Sequence, residues 1–274
     1  MAHPVFPLNC LTAALIALSM TMSSASAQWP QPSPPQVLDA SLSPECSVPA
    51  SLLHTLAPLD SVRRALAAKR PFRVLALGSS GEAGGGAARY EVRLKDELER
   101  VLGADVEAEV EQRSLPGEIT AEAVERITRL VAETEPDLVV WKVGTNDALA
   151  RADVGEFAQA LDDVLAWLSE HDVGVVLVEP PYSPFLAEDE YYRELIAAIH
   201  ASAAERQVPL VLRFETLRFL GQQVRGGKAP LTSFELSHLG GRCIAEHVTR
   251  TVGLSLLLKP SAAQGRSGAL PTRP

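Results

Sequence analysis

Positive charge is the first thing this chain is short of: 25 Lys and Arg stand against 34 Asp and Glu, a formal net charge of -9. With a sequence pI of about 5.2, nothing suggests attraction to nucleic acid or anionic lipid. A neutral or cationic small ligand, or a carbohydrate, is easier to accommodate. Long apolar runs are also missing. Leu11–Met22, LTAALIALSMTM, is uncharged and apolar but too short for a comfortable membrane span. No His/Cys/Asp spacing suggests a metal site, and no internal repeat is visible. The glycine-rich GSSGEAGGG at 78–86 lacks both the Lys-Ser/Thr ending of a P-loop and the dinucleotide spacing, so neither a nucleotide cofactor nor a metal is expected.

What is present at the amino terminus sets the compartment. The apolar stretch is followed by Ala25-Ser26-Ala27, the small-x-small pattern read by signal peptidase, which predicts a signal peptide over 1–27 and an exported protein, periplasmic or secreted. Residues 1–10 carry no Lys or Arg, so the usual positive flank falls to the free amino group and His3. Removing the leader leaves Cys46 and Cys243, an even number that in an exported chain suggests a disulfide; two buried thiols are the alternative. Residues 28–45 include the proline-rich WPQPSPPQ and read as a linker, 46–258 as one domain, and 259–274 as a disordered tail.

Within the domain, apolar strands alternate with amphipathic helices. Strands are predicted at Phe72–Leu77, Val106–Val110, Asp137–Val143, Val173–Val178 and Val208–Leu212. Helices are predicted at Pro49–Leu56, at Leu59–Lys69 with Asp60 or Ser61 as cap, and at Ala88–Leu102, Ile119–Glu133, Glu156–Glu170, Tyr191–Glu205, Thr216–Leu220 and Arg242–Leu257. This order implies an α/β fold, a flavodoxin-like three-layer α/β/α sandwich on a parallel sheet of about five strands. Ligands of such sheets bind at the carboxyl edge of the strands. Val74–Gly86, VLALGSSGEAGGG, places a serine there.

Four places at or just after predicted strand ends carry polar residues: Ser80, Gly117, Asn146, and the pair Glu235 and His238. Together they resemble the SGNH hydrolase superfamily, the GDSL-like esterases, over about Phe72 to His247. The resemblance aligns Gly78-Ser79-Ser80 with the family's Gly-Asp-Ser, making Ser80 the nucleophile. It aligns Gly117 in Leu115-Pro116-Gly117-Glu118 with the glycine whose amide serves the oxyanion hole. Gly144-Thr145-Asn146-Asp147 matches Gly-x-Asn-Asp without change, so Asn146 would be the side-chain oxyanion donor. Glu235-Leu236-Ser237-His238 approximates Asp-x-x-His, with His238 the base and Glu235 its carboxylate. Two positions depart from the pattern: Ser79 replaces the usual Asp, and Glu235 is a methylene longer.

The chemistry needs each part. A serine hydroxyl attacks well only when a base takes its proton, and imidazole has a suitable ordinary pKa. A carboxylate fixes its tautomer, and backbone amides of Ser80 and Gly117 with the Asn146 amide would hold the tetrahedral oxyanion. The resemblance therefore implies a serine hydrolase acting on carboxylic esters, short acyl or O-acetyl esters, including those on carbohydrate or cell-envelope polymers, with no cofactor. The expected partner is a small-molecule or glycan ester, with neither nucleic acid nor stable membrane insertion after leader removal; the oligomeric state is unread. Alternatives are a decayed, non-catalytic carbohydrate-binding protein on this fold, and a thioesterase or lysophospholipase. Loops at 80–88, 145–155 and 180–190 are expected to line the cleft, with Trp141, Tyr182 and Phe185 as core or as apolar cleft surface. His54, His171, His200 and His247 read as structural.

Overall fold

Stretches rich in Val, Leu and Ala pair side by side because extended chain satisfies its backbone groups only across a ladder. In the computed structural model they form one six-stranded sheet in the order β1-β6-β5-β4-β2-β3. The strands are β1 (His54–Thr55), β2 (Phe72–Leu77), β3 (Ala108–Gln112), β4 (Leu138–Lys142), β5 (Gly174–Val178) and β6 (Leu210–Val211). All neighbours are parallel except β1, which runs antiparallel to β6. The structure describes residues 41–78, 90–103, 105–182, 186–224 and 238–260, with the backbone alone at 90, 91, 222–224 and 238. The expected leader at 1–27 and the tail from 261 onward lie outside the described residues.

Alternation along each strand divides the core in two. Leu75, Leu77, Val139, Trp141, Val175 and Leu177 face α3 (Thr120–Thr134), α5 (Val154–Glu170) and α6 (Glu190–Glu205). The intervening Val74, Ala76, Val140, Val176 and Val178 face α1 (Asp60–Ala67), α2 (Tyr90–Leu102) and α8 (His238–Leu256). Leu94, Leu98 and Leu102 on α2, and Ile244, Val248, Val252 and Leu256 on α8, recur every four residues and lay one stripe against the sheet. The result is the expected three-layer α/β/α sandwich. Two shorter helices, α4 (Thr145–Ala150) and α7 (Arg213–Val224), follow β4 and β6.

Departures from the sequence reading have local causes. The helix expected over 49–56 is a 3-10 turn at Ala50–Leu52 followed by β1. There the Leu53 carbonyl accepts the Leu212 N–H at 2.8 Å, so the segment extends the sheet. β3 starts two residues later than expected. The Val106 N–H turns back to the Gly103 carbonyl at 3.0 Å, while Glu99 and Lys95 of α2 bind the Ala108 N–H and C=O at 3.0 and 2.9 Å. Neither Asp60 nor Ser61 caps α1: Leu59 occupies that place, and Asp60 pairs with Arg63. Arg63 in turn donates to the Leu256 and Leu258 carbonyls at the end of α8, at 2.9 and 2.8 Å. Trp141 is core, only 4% exposed.

The segment before the sheet is stitched to α8. Cys46 and Cys243 form a disulfide. The Ser43 N–H donates to Glu246 at 2.8 Å, and Arg242 pairs with both Glu45 and Glu246. Behind the disulfide, buried His247 donates from Nε2 to the Cys46 carbonyl at 2.8 Å. His54 bonds through Nδ1 to the Thr251 hydroxyl at 3.2 Å. Burial lowers both imidazoles from 6.5 to about 4, with Arg250 adding to the effect.

Two measurements follow from this seam. On the loop-entropy account, a bridge spanning 197 residues contributes about 5 kcal/mol, so reduction or Cys46→Ser is expected to lower the melting temperature strongly at constant pH. Because the folded His247 pKa lies below its unfolded value, the unfolded chain binds the proton first. The contribution of this group is therefore fully present above pH about 6.5 and is lost as pH falls through about 4. The lowering corresponds to about 3 kcal/mol for His247. His247→Gln keeps a donor for the Cys46 carbonyl without titrating. Denaturant melts at pH 7 and pH 4.5 are expected to show a smaller acid loss in that variant than in wild type.

Candidate active site

The carboxyl edge of the sheet is built around one close approach. Gly78, directly after β2, has φ +93, and a Cβ added there would stand 2.0 Å from the Lys142 carbonyl oxygen on β4. No side chain fits, so β2 leaves the sheet through glycine. The Gly78 carbonyl accepts the Ser114 hydroxyl, which holds the loop after β3 against this exit.

That loop then turns through Leu115-Pro116-Gly117-Glu118. The Glu118 N–H returns to the Leu115 carbonyl at 3.3 Å, and Gly117 has φ +79, the Pro-Gly order of a type II turn. Arg126 of α3 grips the Glu118 carboxylate and also donates to the Arg113 carbonyl at 2.9 Å. The turn is thereby fixed at both ends.

β4 delivers the third motif. Gly144, at φ +86, opens α4, and Asn146 donates from Nδ2 to the Glu118 carbonyl at 2.8 Å. One N–H of that amide is engaged; the second has no partner among the described residues. Asp147, 2% exposed, accepts the Thr120 N–H at 2.8 Å and the Thr120 hydroxyl at 3.0 Å. Ile119, the residue before α3, has no side-chain cap, so Asp147 caps α3 from another helix. Burial raises the Asp147 pKa above the ordinary carboxylate value, and the two bonds from Thr120 oppose the rise. Asp147 thus serves the preceding helix and Asn146 the turn that leads into it; α5 takes its cap from Asp153, which accepts the Glu156 N–H at 2.9 Å. Residues 145–150, expected as cleft loop, are the helix α4.

The remaining expected groups are placed less fully. Ser80 and Glu235 lie outside the described residues, as does Phe185. His238 is the first residue of α8, five positions before the disulfide-bonded Cys243. Gly117 and Asn146 are the two expected residues that the described structure brings together, through Glu118. Tyr182 packs edge-on against Phe214, ring centres 5.1 Å apart. Of the histidines read as structural, His200 pairs with Glu179, and His171 stacks on Trp167. The Glu179–His200 pair had one visible signal, an acidic residue at the end of β5 just before Pro180-Pro181. Its partner, 21 positions on, had none.

Residues 45–253 match the Non-GDSL lipase-like family. The chain belongs to that family. It carries Gly78-Ser79-Ser80 where the GDSL pattern has Gly-Asp-Ser, and its resemblance to the SGNH hydrolases stands. Among solved structures the fold is similar to TesA, at 21% identity over 67% of this chain and 99% of that one, with a TM-score of 0.54. It is similar to the acetyl xylan esterase AlAXEase, at 19% identity over 65% and 98%, with a TM-score of 0.55. A two-domain esterase active on acetylated mannans gives a TM-score of 0.60 at 13% identity over 81% of this chain and 60% of that one. No curated protein matches the chain in sequence. Among the described residues, no helix is long and apolar enough to cross a membrane, and no group of His, Cys, Asp and Glu is placed to hold a metal.

The Asp147 clamp makes a direct test. Asp147→Ala leaves two buried Thr120 donors unpaired and is expected to cost about 2–3 kcal/mol in urea melts. Asp147→Asn retains an acceptor and a donor for Thr120, and is expected to recover most of that loss.

Proposed function

We propose that this chain is an exported serine hydrolase that cleaves short acyl esters, among them O-acetyl esters on glycans, through an acyl-enzyme on Ser80. The ester-hydrolase class rests on membership of a lipase-like family. The observation that carries the mechanism is the Asn146–Glu118 bond. It locks the Gly117 turn and the Asn146 amide to each other at the carboxyl edge, where β2 also ends, and among the described residues it leaves Asn146 one N–H to offer. Two donors fixed before substrate arrives cost no reorganisation when negative charge develops.

In this reading Ser80 Oγ attacks the ester carbonyl carbon as His238 takes its proton. The carbonyl oxygen becomes an oxyanion held by the Ser80 and Gly117 amides and by Asn146. Collapse breaks the bond to the alcohol, and His238 returns the proton to it. Water then attacks the acyl-enzyme, again with His238 as base, and the acid leaves. Glu235 orients the imidazole and stabilises its charged form. Export agrees with the disulfide. The glycan preference agrees with the neighbours named for acetyl xylan and acetylated mannans.

A fluorophosphonate probe is expected to label wild type and not Ser80→Ala. Asn146→Ala is expected to lower kcat on 4-nitrophenyl acetate about a hundredfold with little change in KM. Folded protein that neither takes the probe nor turns over the ester overturns the proposal in favour of a carbohydrate-binding protein. Faster turnover of long-chain than of acetyl esters overturns the short-acyl preference.

A further inference from the structure

A second polar site sits on the same edge of the sheet, where α6 and α7 converge past the end of β5. Its centre is Glu179, which is 0% exposed. One carboxylate oxygen pairs with His200 Nε2, and the other accepts the Phe214 N–H at 3.0 Å. Both oxygens are therefore engaged. The hydrogen bond to Glu179 raises the His200 pKa above 6.5, so the imidazole keeps its proton more readily than a free one. Beside this pair lies a pocket of about 380 Å³, lined by Tyr182, Ile196, Phe214, Arg193 and Arg218 among others.

The charges of this pocket differ from those of the chain. Arg218 is paired with Glu215 at 2.5 Å, whereas Arg193 is exposed and has no carboxylate partner among the described residues. With His200 protonated, three cations face two carboxylates, Glu179 and Glu215, and both carboxylates are already engaged. When His200 carries its proton, the lining has one positive charge more than negative, in a chain of net charge -9. Composition favours neutral or cationic ligands; this pocket offers a single anion a close-range grip. The half-buried, edge-to-face pair of Tyr182 and Phe214 supplies apolar surface beside the cations.

We propose that this pocket binds a uronic acid residue of an acidic glycan, its carboxylate held by Arg193 and its sugar ring lying against Tyr182 and Phe214. Guanidinium matches a carboxylate with two parallel N–H donors, and an aromatic face takes the apolar side of a pyranose. Glycan binding stands on the pocket alone. Its service to ester cleavage rests on the function proposed above, and would direct the hydrolase to acetylated polyuronides.

The test separates binding from turnover. In the full-length Ser80→Ala protein, calorimetry at pH 6 and low salt compares tetragalacturonate with neutral xylotetraose. The acidic oligomer is expected to bind and the neutral one not. Adding Arg193→Ala is expected to weaken binding about tenfold or more, and Arg129→Ala on the exposed face of α3 to leave it unchanged. With Ser80 present, Arg193→Ala is expected to leave 4-nitrophenyl acetate turnover as in wild type. Absence of binding, equal binding of both oligomers, or equal losses from Arg193→Ala and Arg129→Ala each overturn the proposal. Binding that is found while the wild-type protein shows no esterase activity overturns the hydrolase reading alone.

Discussion

Where β2 ends, the backbone of Gly78 lies against the Lys142 carbonyl with no room for a side chain, and the geometry of the site depends on that approach. It fixes the level at which the chain leaves the sheet after β2. It also fixes that level relative to β4, which two residues later supplies Gly144 and then Asn146. A bulkier residue at position 78 would push the two exits apart and separate the proposed nucleophile from its oxyanion donor. The polar bonds of the third motif extend the same constraint sideways. Asn146 reaches Glu118 and Asp147 reaches Thr120, so three consecutive strand exits hold one another by side chain to backbone.

Among the described residues the Asp147 carboxylate meets the start of α3, a structural role. Buried carboxylates are costly, and this one is kept by two donors at the positive end of a helix. Glu179 is handled differently. It spends one oxygen on the start of α7 and the other on an imidazole, which couples a piece of architecture to a partly exposed, chargeable ring.

The layers were legible because the strands are nearly continuous apolar runs and the helices carry four-residue stripes, patterns that period alone reveals. Cys46 and Cys243 were legible from parity and compartment. Local contests decided what was missed. β1 is two residues long and exists only because β6 offers it a partner. α4 is a single short helix whose Gly-Thr-Asn-Asp reads equally well as a turn. The pairing of Asp147 with Thr120 and of Glu179 with His200 spans 27 and 21 positions, beyond any rule of spacing. Of the site itself, the sequence motifs named Gly117 and Asn146, and the structure adds Glu118 as the group that joins them.

The small strand β1 has a wider consequence. A parallel sheet that ended at β6 would present Leu210 and Val211 as an open ladder of backbone donors and acceptors, a template for another chain. β1 covers that ladder, and its own outer residue, Thr55, is exposed and polar on a strand too short to recruit a neighbour. The residues that perform this covering begin eight positions after the disulfide-bonded Cys46. The covalent tie between the first turn and the last helix therefore also helps to hold this cover on the edge of the sheet.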